Sequence, residues 1–118
     1  MAIPQIRLYT GNDGQSHIEK GTAELPELAG SSHRSRAAKA IEVTLEEGPA
    51  GAALGWHRAP VRQYVITLSG TLEFETRLGD KFVLAPGIIL LAEDTTGGGH
   101  KWHLTDDQPW RRVYVALE

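Results

Sequence analysis

Alternation of apolar and polar residues with a period of two is the main pattern along this chain. It is clearest over residues 41–46, which read IEVTLE, and the run ends at the turn signal Gly48-Pro49. A helix beginning at Ser35 competes with a strand here, because four apolar residues also fit a 3.6-residue period: Ala37, Ala38, Ile41 and Leu45. The β-branched residues favour a strand from Ala40 onward.

Further short strands follow at near-regular spacing, with glycine and proline between them. Residues 63–68 read QYVITL and predict a buried strand that stops at Ser69-Gly70. Similar patterns predict strands over four later ranges: 71–75, 81–84, 88–92 and 113–117. The N-terminal third shows no comparable strand pattern. Many short strands broken by turn residues predict an all-β sandwich or barrel.

Length and composition indicate one globular domain over residues 1–118. The chain has 41% hydrophobic and 23% charged residues, which is typical of a folded domain. The net charge of −3 argues against non-specific nucleic-acid binding, which requires basic surface. No run is long enough to span a membrane and no targeting segment is visible. The absence of cysteine excludes disulfides and thiolate sites, and we expect a cytoplasmic protein.

Two of the five histidines fall where the strand pattern gives them a common direction. In an extended segment, His57, Ala59 and Gln63 have the same parity and face the same way. His100 and His103 are an odd number of residues apart, so on a regular strand only one of them can face His57. We therefore expect two imidazoles to converge inside the fold.

The spacing of these residues resembles the two sequence motifs of the cupin family. The first motif corresponds to five positions: Gly51, His57, Ala59, Gln63 and Gly70. The second corresponds to Pro86-Gly87 followed, after a long loop, by His100. The resemblance covers about residues 41–117, and three segments resemble an uncharacterised bacterial group within the family: 13–17, 62–65 and 92–97.

This resemblance implies a cupin-type double-stranded β-helix, which is a jelly-roll barrel of two antiparallel sheets. Residues 40–118 would form the barrel, and residues 1–39 would form an N-terminal arm with edge strands. The family resemblance also implies a homodimer, because such domains often pair edge strands and thereby cover unpaired backbone groups.

Metal-binding cupins hold a divalent metal with three histidines and one glutamate. In this chain Ala59 stands at one histidine position and Gln63 at the glutamate position. The resemblance therefore leaves His57 and His100, with the neutral amide oxygen of Gln63 as a weaker third ligand. If a metal binds, one divalent ion such as Zn, Ni, Fe or Mn is expected there.

The candidate site has both a functional and a structural interpretation. In the first, His57 and His100 are catalytic, and a ligand contacts Gln63, Trp102 and His103. In the second, the two imidazoles are core residues that are hydrogen-bonded to their neighbours. Asp94 is a candidate partner for a histidine, but the following Thr95-Thr96-Gly97 favours a turn role. The pair Arg111-Arg112 is expected on the surface.

The sequence therefore supports three classes of function. The first is a small-molecule enzyme, metal-dependent or metal-free, that carries out acid–base chemistry of the isomerase, lyase or cyclase type. The second is a barrel that binds or senses a small ligand without converting it. The third is a structural domain whose dimer surface carries the function. In each case the expected partners are a small molecule or a second copy, not nucleic acid or membrane.

Overall fold

The computed structural model describes residues 2–118, and this part of the chain contains twelve strands and no helix. The strands are β1 (Pro4–Thr10), β2 (Ser16–Thr22), β3 (Glu27–Ala29), β4 (Ser32–His33), β5 (Ala40–Gly48), β6 (Ala53–His57), β7 (Gln63–Ser69), β8 (Leu72–Thr76), β9 (Lys81–Leu84), β10 (Ile89–Glu93), β11 (His100–Leu104) and β12 (Trp110–Leu117). The all-β prediction is confirmed. None of the residues 2–118 belongs to a helix that could cross a membrane.

Ten of the strands form two sheets. The six-stranded sheet has the order β2-β1-β10-β7-β12-β5, and the four-stranded sheet has the order β6-β11-β8-β9. The remaining strands, β3 and β4, form a separate two-stranded ribbon. The two large sheets share no hydrogen-bonded ladder within residues 2–118, so they form an open sandwich, consistent with a jelly roll, in place of a closed barrel.

One strand pair departs from the expected antiparallel arrangement. Strands β1 and β10 run parallel, with Gln5 opposite Ile89 and Leu8 opposite Ala92. The larger sheet is therefore mixed. The segment before residue 40 gives this sheet two of its strands, since β2 pairs antiparallel with β1 at the sheet edge.

The two sheets pack face to face through one hydrophobic core. In β7 the side chains of Gln63, Val65 and Thr67 point inward, while the residues between them are less buried. The core residues come from both sheets: Ile6, Leu8, Ala59, Val65, Leu72, Phe74, Phe82, Leu84, Leu90, Ala92, Leu104 and Trp110. This core fixes the distance between the inner faces of the sheets and so the width of the space between them.

The strand predicted from Ala40 onward is confirmed by β5, and the alternative helix beginning at Ser35 is wrong. It is the end strand of the six-stranded sheet, and within residues 2–118 its one partner strand is β12. Its apolar side chains are not part of the core, since Ile41, Val43 and Leu45 are 68%, 56% and 76% exposed. An end strand with exposed apolar residues leaves one edge of the sandwich open.

Candidate functional site

A cavity of about 490 Å³ lies at this open side, between the inner faces of the two sheets. Its lining residues come from seven strands and from the segment between β6 and β7: Glu42, Thr44, Glu46, Leu54, His57, Ala59, Pro60, Val61, Gln63, Val65, Phe74, Leu90, Ala92, His100, Trp102, Arg112, Tyr114 and Ala116. The volume is within the range of ~300–1,000 Å³ that is common for small-molecule pockets. The walls are largely apolar, and the polar groups fall into two clusters.

The first cluster contains the two histidines that the sequence singled out. His57 ends β6 and His100 begins β11, and the two residues are direct partners across this antiparallel pair. Their rings meet edge to face, with centroids 4.4 Å apart. The structure therefore brings together two imidazoles that are 43 positions apart in the sequence (100 minus 57), and both line the cavity.

A glycine makes this close approach of β6 and β11 possible. Gly99 has a φ of +74°, and a Cβ atom at this position would be 2.2 Å from the backbone oxygen of His57. Only a residue without a side chain fits both the conformation and the space. The start of β11 can therefore lie against the end of β6, which sets the position of His100.

A buried carboxylate holds His100 from the other side. Asp94 is fully buried, and its Oδ2 is 2.6 Å from His100 Nδ1. The same oxygen accepts a hydrogen bond of 2.6 Å from the hydroxyl of Ser16, which is also fully buried. Because an ionised carboxylate only accepts hydrogen bonds, Nδ1 of His100 donates, and Nε2 remains free for another partner. The turn role favoured for Asp94 by the sequence is therefore wrong.

His57 has an equivalent arrangement with a backbone acceptor. Its Nδ1 is 2.7 Å from the carbonyl oxygen of Gly55, so Nδ1 donates and Nε2 again remains free. Burial lowers the pKa of His57 below the ordinary histidine value, and the neighbouring His100 lowers it further. The Gly55 hydrogen bond and the charge of Asp94 oppose this shift without cancelling it. His57 is therefore neutral at pH 7, with a lone pair on Nε2.

Gln63 adds an amide to this cluster. Its side chain is 8% exposed and lines the cavity. Within residues 2–118 this amide makes no hydrogen bond to a protein group, although neither of its polar atoms is sealed from solvent. A largely buried amide without a protein partner has its acceptor and two donors available to a bound molecule.

The other two predicted ligand-binding residues have different positions. Trp102 lines the cavity and packs edge to face against Trp110, with ring centroids 4.7 Å apart. His103 is exposed and does not line the cavity, so its predicted contact with a ligand is wrong. The physical reason is strand alternation, since Trp102 and His103 are consecutive and point to opposite faces of the sheet.

The second polar cluster is one that sequence reasoning missed. Arg112 is 5% exposed, whereas the sequence interpretation placed it on the surface with Arg111. It donates hydrogen bonds to the hydroxyl of Tyr114 at 3.0 Å and the carbonyl of Trp110 at 3.1 Å, and it pairs with Glu46. Its guanidinium also stacks on the Trp110 ring at 3.8 Å. Burial raises the pKa of Tyr114 above the ordinary tyrosine value, although the hydrogen bond from Arg112 opposes the shift.

The donor set at the histidine cluster does not fit a stable metal site. Within residues 2–118 no group of three or more His, Cys, Asp or Glu side chains is arranged to hold a metal ion. Ala59 lines the cavity at the position where a third histidine would be needed, and it cannot ligate. Each imidazole offers one nitrogen, Nε2, so the two rings supply at most two ligand atoms. Two imidazoles and one neutral amide fall short of the usual ligand set for the proposed Zn, Ni, Fe or Mn.

Comparison with solved structures gives a similarity of fold. No family model matches this sequence, and no curated protein matches it. Among solved structures, the chain is similar to a cupin domain from Bordetella pertussis Tohama I. The two are 22% identical with a TM-score of 0.48, and the match covers 70% of this chain and 97% of that one. At this level the similarity assigns no role to any residue of the site.

Proposed function

We propose that this protein binds a small polar molecule in the cavity and carries out metal-free acid–base chemistry on it. The observation that carries the proposal is the state of the Gln63 amide. It is largely buried, lines the same cavity as His57 and His100, and makes no hydrogen bond to a protein group within residues 2–118. Because its polar atoms are not sealed from solvent, its acceptor and two donors are available to a ligand in the cavity.

The two imidazoles supply the groups for a proton transfer. His57 and His100 both donate through Nδ1 and present Nε2 to the cavity, and the lowered pKa of His57 leaves a lone pair on its Nε2 for an acidic proton of the ligand. When His57 takes a proton from the carbon next to a carbonyl, the electron pair of the broken C–H bond forms a carbon–carbon double bond, and the carbonyl π pair moves to the oxygen. The Gln63 N–H donates a hydrogen bond to that oxygen. Transfer of the proton from Nε2 to the enolate oxygen gives the enol, which completes a keto–enol isomerisation and regenerates neutral His57.

Asp94 acts on His100 as a positioning residue. It holds the ring in one tautomer and one orientation, and Ser16 fixes the carboxylate in turn. The second polar cluster, Arg112 with Tyr114 and Glu46, provides hydrogen-bonding groups at another part of the cavity wall. These features support a ligand that has a carbonyl group, an apolar middle and a second polar group.

The second candidate is a protein that binds a small molecule without converting it. The Arg112 cluster in the cavity wall supports this role as well as it supports catalysis, because its polar groups would bind a ligand in either case. A thermal-shift screen of small carbonyl compounds and hydroxy acids, followed by NMR of each stabilising compound with the protein, separates the two. Acid–base chemistry predicts exchange of a ligand C–H with deuterium from the solvent. Stabilisation without exchange contradicts the catalytic proposal and leaves a binding protein.

Single substitutions test whether ligand binding and deuterium exchange depend on the residues of the cavity. Gln63→Leu is expected to weaken binding of a stabilising compound by about 10-fold or more, because it removes hydrogen bonds to the ligand. His57→Ala is expected to abolish deuterium exchange while leaving the fold intact. The matched control is His103→Ala, since His103 is exposed and lies outside the cavity. Equal losses in His57→Ala and His103→Ala would contradict the proposed site.

A further inference from the structure

The polar cluster formed by Arg112, Tyr114 and Glu46 has no part in the proton transfer proposed above. Arg112 lines the cavity, yet it is only 5% exposed. Within residues 2–118 its one acidic partner is Glu46, whose side chain is 58% exposed. The ion pair therefore joins a buried cation to a largely hydrated anion. A buried charge needs a partner of opposite charge, and this partner can leave at small cost because it is already hydrated.

The guanidinium of Arg112 is held in place by contacts other than Glu46. Its Nε donates a hydrogen bond of 3.0 Å to the hydroxyl of Tyr114, and a terminal nitrogen donates one of 3.1 Å to the carbonyl of Trp110. The guanidinium also stacks on the Trp110 ring, whose Nε1 donates a hydrogen bond of 3.2 Å to the hydroxyl of Thr67. A guanidinium carries five N–H donors, and the protein contacts engage three of them. Arg112 is therefore a fixed group with N–H donors available to a ligand.

The hydroxyl of Tyr114 adds a second donor beside this guanidinium. It accepts the hydrogen bond from Arg112, and within the part of the chain that the structure describes it donates to no protein acceptor. Burial raises the pKa of Tyr114, so the hydroxyl keeps its proton at neutral pH. An arginine and a neighbouring O–H donor together match the two oxygens of one carboxylate, whose charge strengthens both hydrogen bonds. The cluster is thus better suited to a carboxylate than to a neutral polar group.

We infer that this cluster is a carboxylate subsite, in which Arg112 and Tyr114 bind a carboxylate of the ligand in the place that Glu46 occupies in the free protein. The inference rests on the proposed function, because it assigns the second polar group of the same ligand. Glu46 serves as an internal substitute, since it pairs with Arg112 in the free protein and turns into solvent when a ligand carboxylate replaces it. The guanidinium remains paired throughout, which avoids the cost of a buried unpaired charge.

The position of this subsite relative to Gln63 sets the orientation of the ligand. Across the ladder of β7 and β12, Gln63 lies opposite Ala116, which is four positions from Arg112 (116 minus 112). On an extended strand this spacing separates the two backbone positions by about 13 Å. Glu42, the other carboxylate that lines the cavity, lies opposite Ala116 on the β5 side. A ligand carboxylate is thus attracted to the Arg112 end and repelled from the Glu42 end, while the carbonyl lies at Gln63.

Aromatic side chains line the wall between the two ends. The centroid of the Phe74 ring lies 5.6 Å from that of His100 and 6.5 Å from that of Trp110. Trp102 packs edge to face on Trp110 and also lines the cavity. An apolar chain between the carbonyl and the carboxylate would contact these rings. The substrate class is therefore an oxo acid with several methylene groups between its carbonyl and its carboxylate.

The test compares an oxo acid with its neutral amide. The probes are 5-oxohexanoate and 5-oxohexanamide, which share their length and their ketone and differ in the charge at one end. Calorimetric titration of the wild-type protein at pH 7 should give an affinity for the acid about 10-fold or more above that for the amide. Equal affinities, or no binding of either probe at millimolar concentration, would overturn the inference.

Deuterium exchange separates this inference from the proposed function. Exchange at the carbons next to the ketone depends on the histidines, whereas hexanoate and hexanamide, which have no ketone, test the carboxylate subsite alone. If the acids bind more tightly than the amides and no exchange occurs, the subsite is supported and the catalytic proposal fails. If exchange occurs and acids and amides bind equally, the catalytic proposal stands and the subsite inference fails.

Two adjacent ion pairs provide matched variants. Glu46→Gln removes the internal carboxylate, so the Tm of the free protein should fall while the affinity for 5-oxohexanoate rises by about 5-fold. Arg112→Gln should abolish the preference for the acid over the amide. Glu47→Gln and Arg111→Gln should change neither affinity, since this exposed pair lies on the opposite face of the same two strands.

Two results with these variants would overturn the inference. One is weaker binding of 5-oxohexanoate by Glu46→Gln, because Glu46 would then support the ligand in place of competing with it. The other is a preference for the acid that survives Arg112→Gln. If Arg112→Gln does not fold, the comparison of acid and amide on the wild-type protein and the Glu46→Gln titration decide.

Discussion

At the scale of single residues, the candidate site is defined by which nitrogen of each imidazole is engaged. In both His57 and His100, Nδ1 donates a hydrogen bond to an oxygen acceptor, so Nε2 of each ring is available to a ligand. The protein thereby offers two ring nitrogens and one amide to a ligand. This pattern favours ligands that bring their own acidic proton.

The depressed pKa of His57 predicts a pH dependence of stability. The unfolded chain binds a proton at this residue with a pKa near ~6.5, whereas the folded chain binds it only at lower pH. The unfolded state therefore holds more protons between these two values. The contribution of His57 is complete above pH ~6.5 and is lost as the pH falls through the folded-state pKa.

NMR titration of the His57 Cε1–H resonance measures this directly, with a midpoint expected below the ordinary histidine value of ~6.5. In His57→Gln, the decrease in urea stability between pH 7 and pH 5 should be smaller than in the wild type. A His57 midpoint above the ordinary value would show that burial does not control its protonation.

Asp94 is predicted to be the most sensitive polar residue of the molecule. Asp94→Asn keeps the shape of the side chain but cannot accept the charge-assisted hydrogen bonds from Ser16 and His100. We expect the free energy of unfolding to fall by about 2 kcal/mol. Asp80→Asn, in an exposed turn, should change it by less than about 0.5 kcal/mol. Equal urea midpoints for the two variants would contradict the buried network.

The sequence could predict the histidine pair but not its surroundings. His57 and Gln63 are an even number of residues apart, so strand alternation predicts that they face the same side. The resemblance to the cupin motifs adds His100 to them. Asp94 precedes a threonine–glycine segment that is typical of a turn, and nothing local indicates that a histidine six positions later folds back onto it. Arg112 shares its parity with Tyr114 and Ala116, a signal for the cavity side that the neighbouring Arg111 obscured.

At the scale of secondary structure, glycine positions control how the strands approach each other. Gly99 and Gly79 both have positive φ, at +74° and +89°, yet only Gly99 has backbone atoms where a Cβ would lie. A side chain at Gly79 would therefore be disfavoured by the backbone conformation alone, whereas a side chain at Gly99 would also clash with neighbouring atoms. The clash at Gly99 concerns the candidate site, because the atoms that a Cβ would meet belong to the backbone of His57.

Gly79→Ala is expected to cost about 1–2 kcal/mol of stability, which is the penalty for a side chain in the left-handed region. Gly99→Ala should cost at least about 2 kcal/mol more, because the backbone of β6 or β11 must also move. Thermal unfolding of both variants checks the difference, and the His57 and His100 NMR signals should shift only in Gly99→Ala. Equal stability of the two variants would contradict the close approach.

Strand prediction from alternation succeeded where one face is buried and was incomplete elsewhere. The predicted strand at 81–84 matches β9, and that at 63–68 matches all but the last residue of β7. The N-terminal strands β1 and β2 were not located, because β1 begins with a proline and β2 is polar over its second half. The parallel pairing of β1 with β10 is a tertiary feature that local pattern does not encode.

At the scale of the whole molecule, one core supports both sheets and therefore the cavity between them. Leu72 in β8 is fully buried within this core. Leu72→Ala is expected to lower the free energy of unfolding by about 2–5 kcal/mol, through lost burial and the cavity it leaves. Leu78→Ala, at a site 53% exposed, should cost less than about 0.5 kcal/mol. Urea unfolding of both variants checks this difference. Similar losses of unfolding free energy in the two variants would contradict a shared core.

The proposed chemistry depends on one arrangement, in which His57 and His100 both donate through Nδ1 and present Nε2 to the cavity. Two-bond ¹H–¹⁵N correlation of the histidine rings at pH 8 tests it most directly, with His103→Ala and similar variants used for assignment. We expect a proton on Nδ1 of both rings, and a change in the Nε2 shift of each when a stabilising compound is added. An Nε2–H tautomer on either ring would contradict the proposed hydrogen-bonding arrangement and the proton transfer that depends on it.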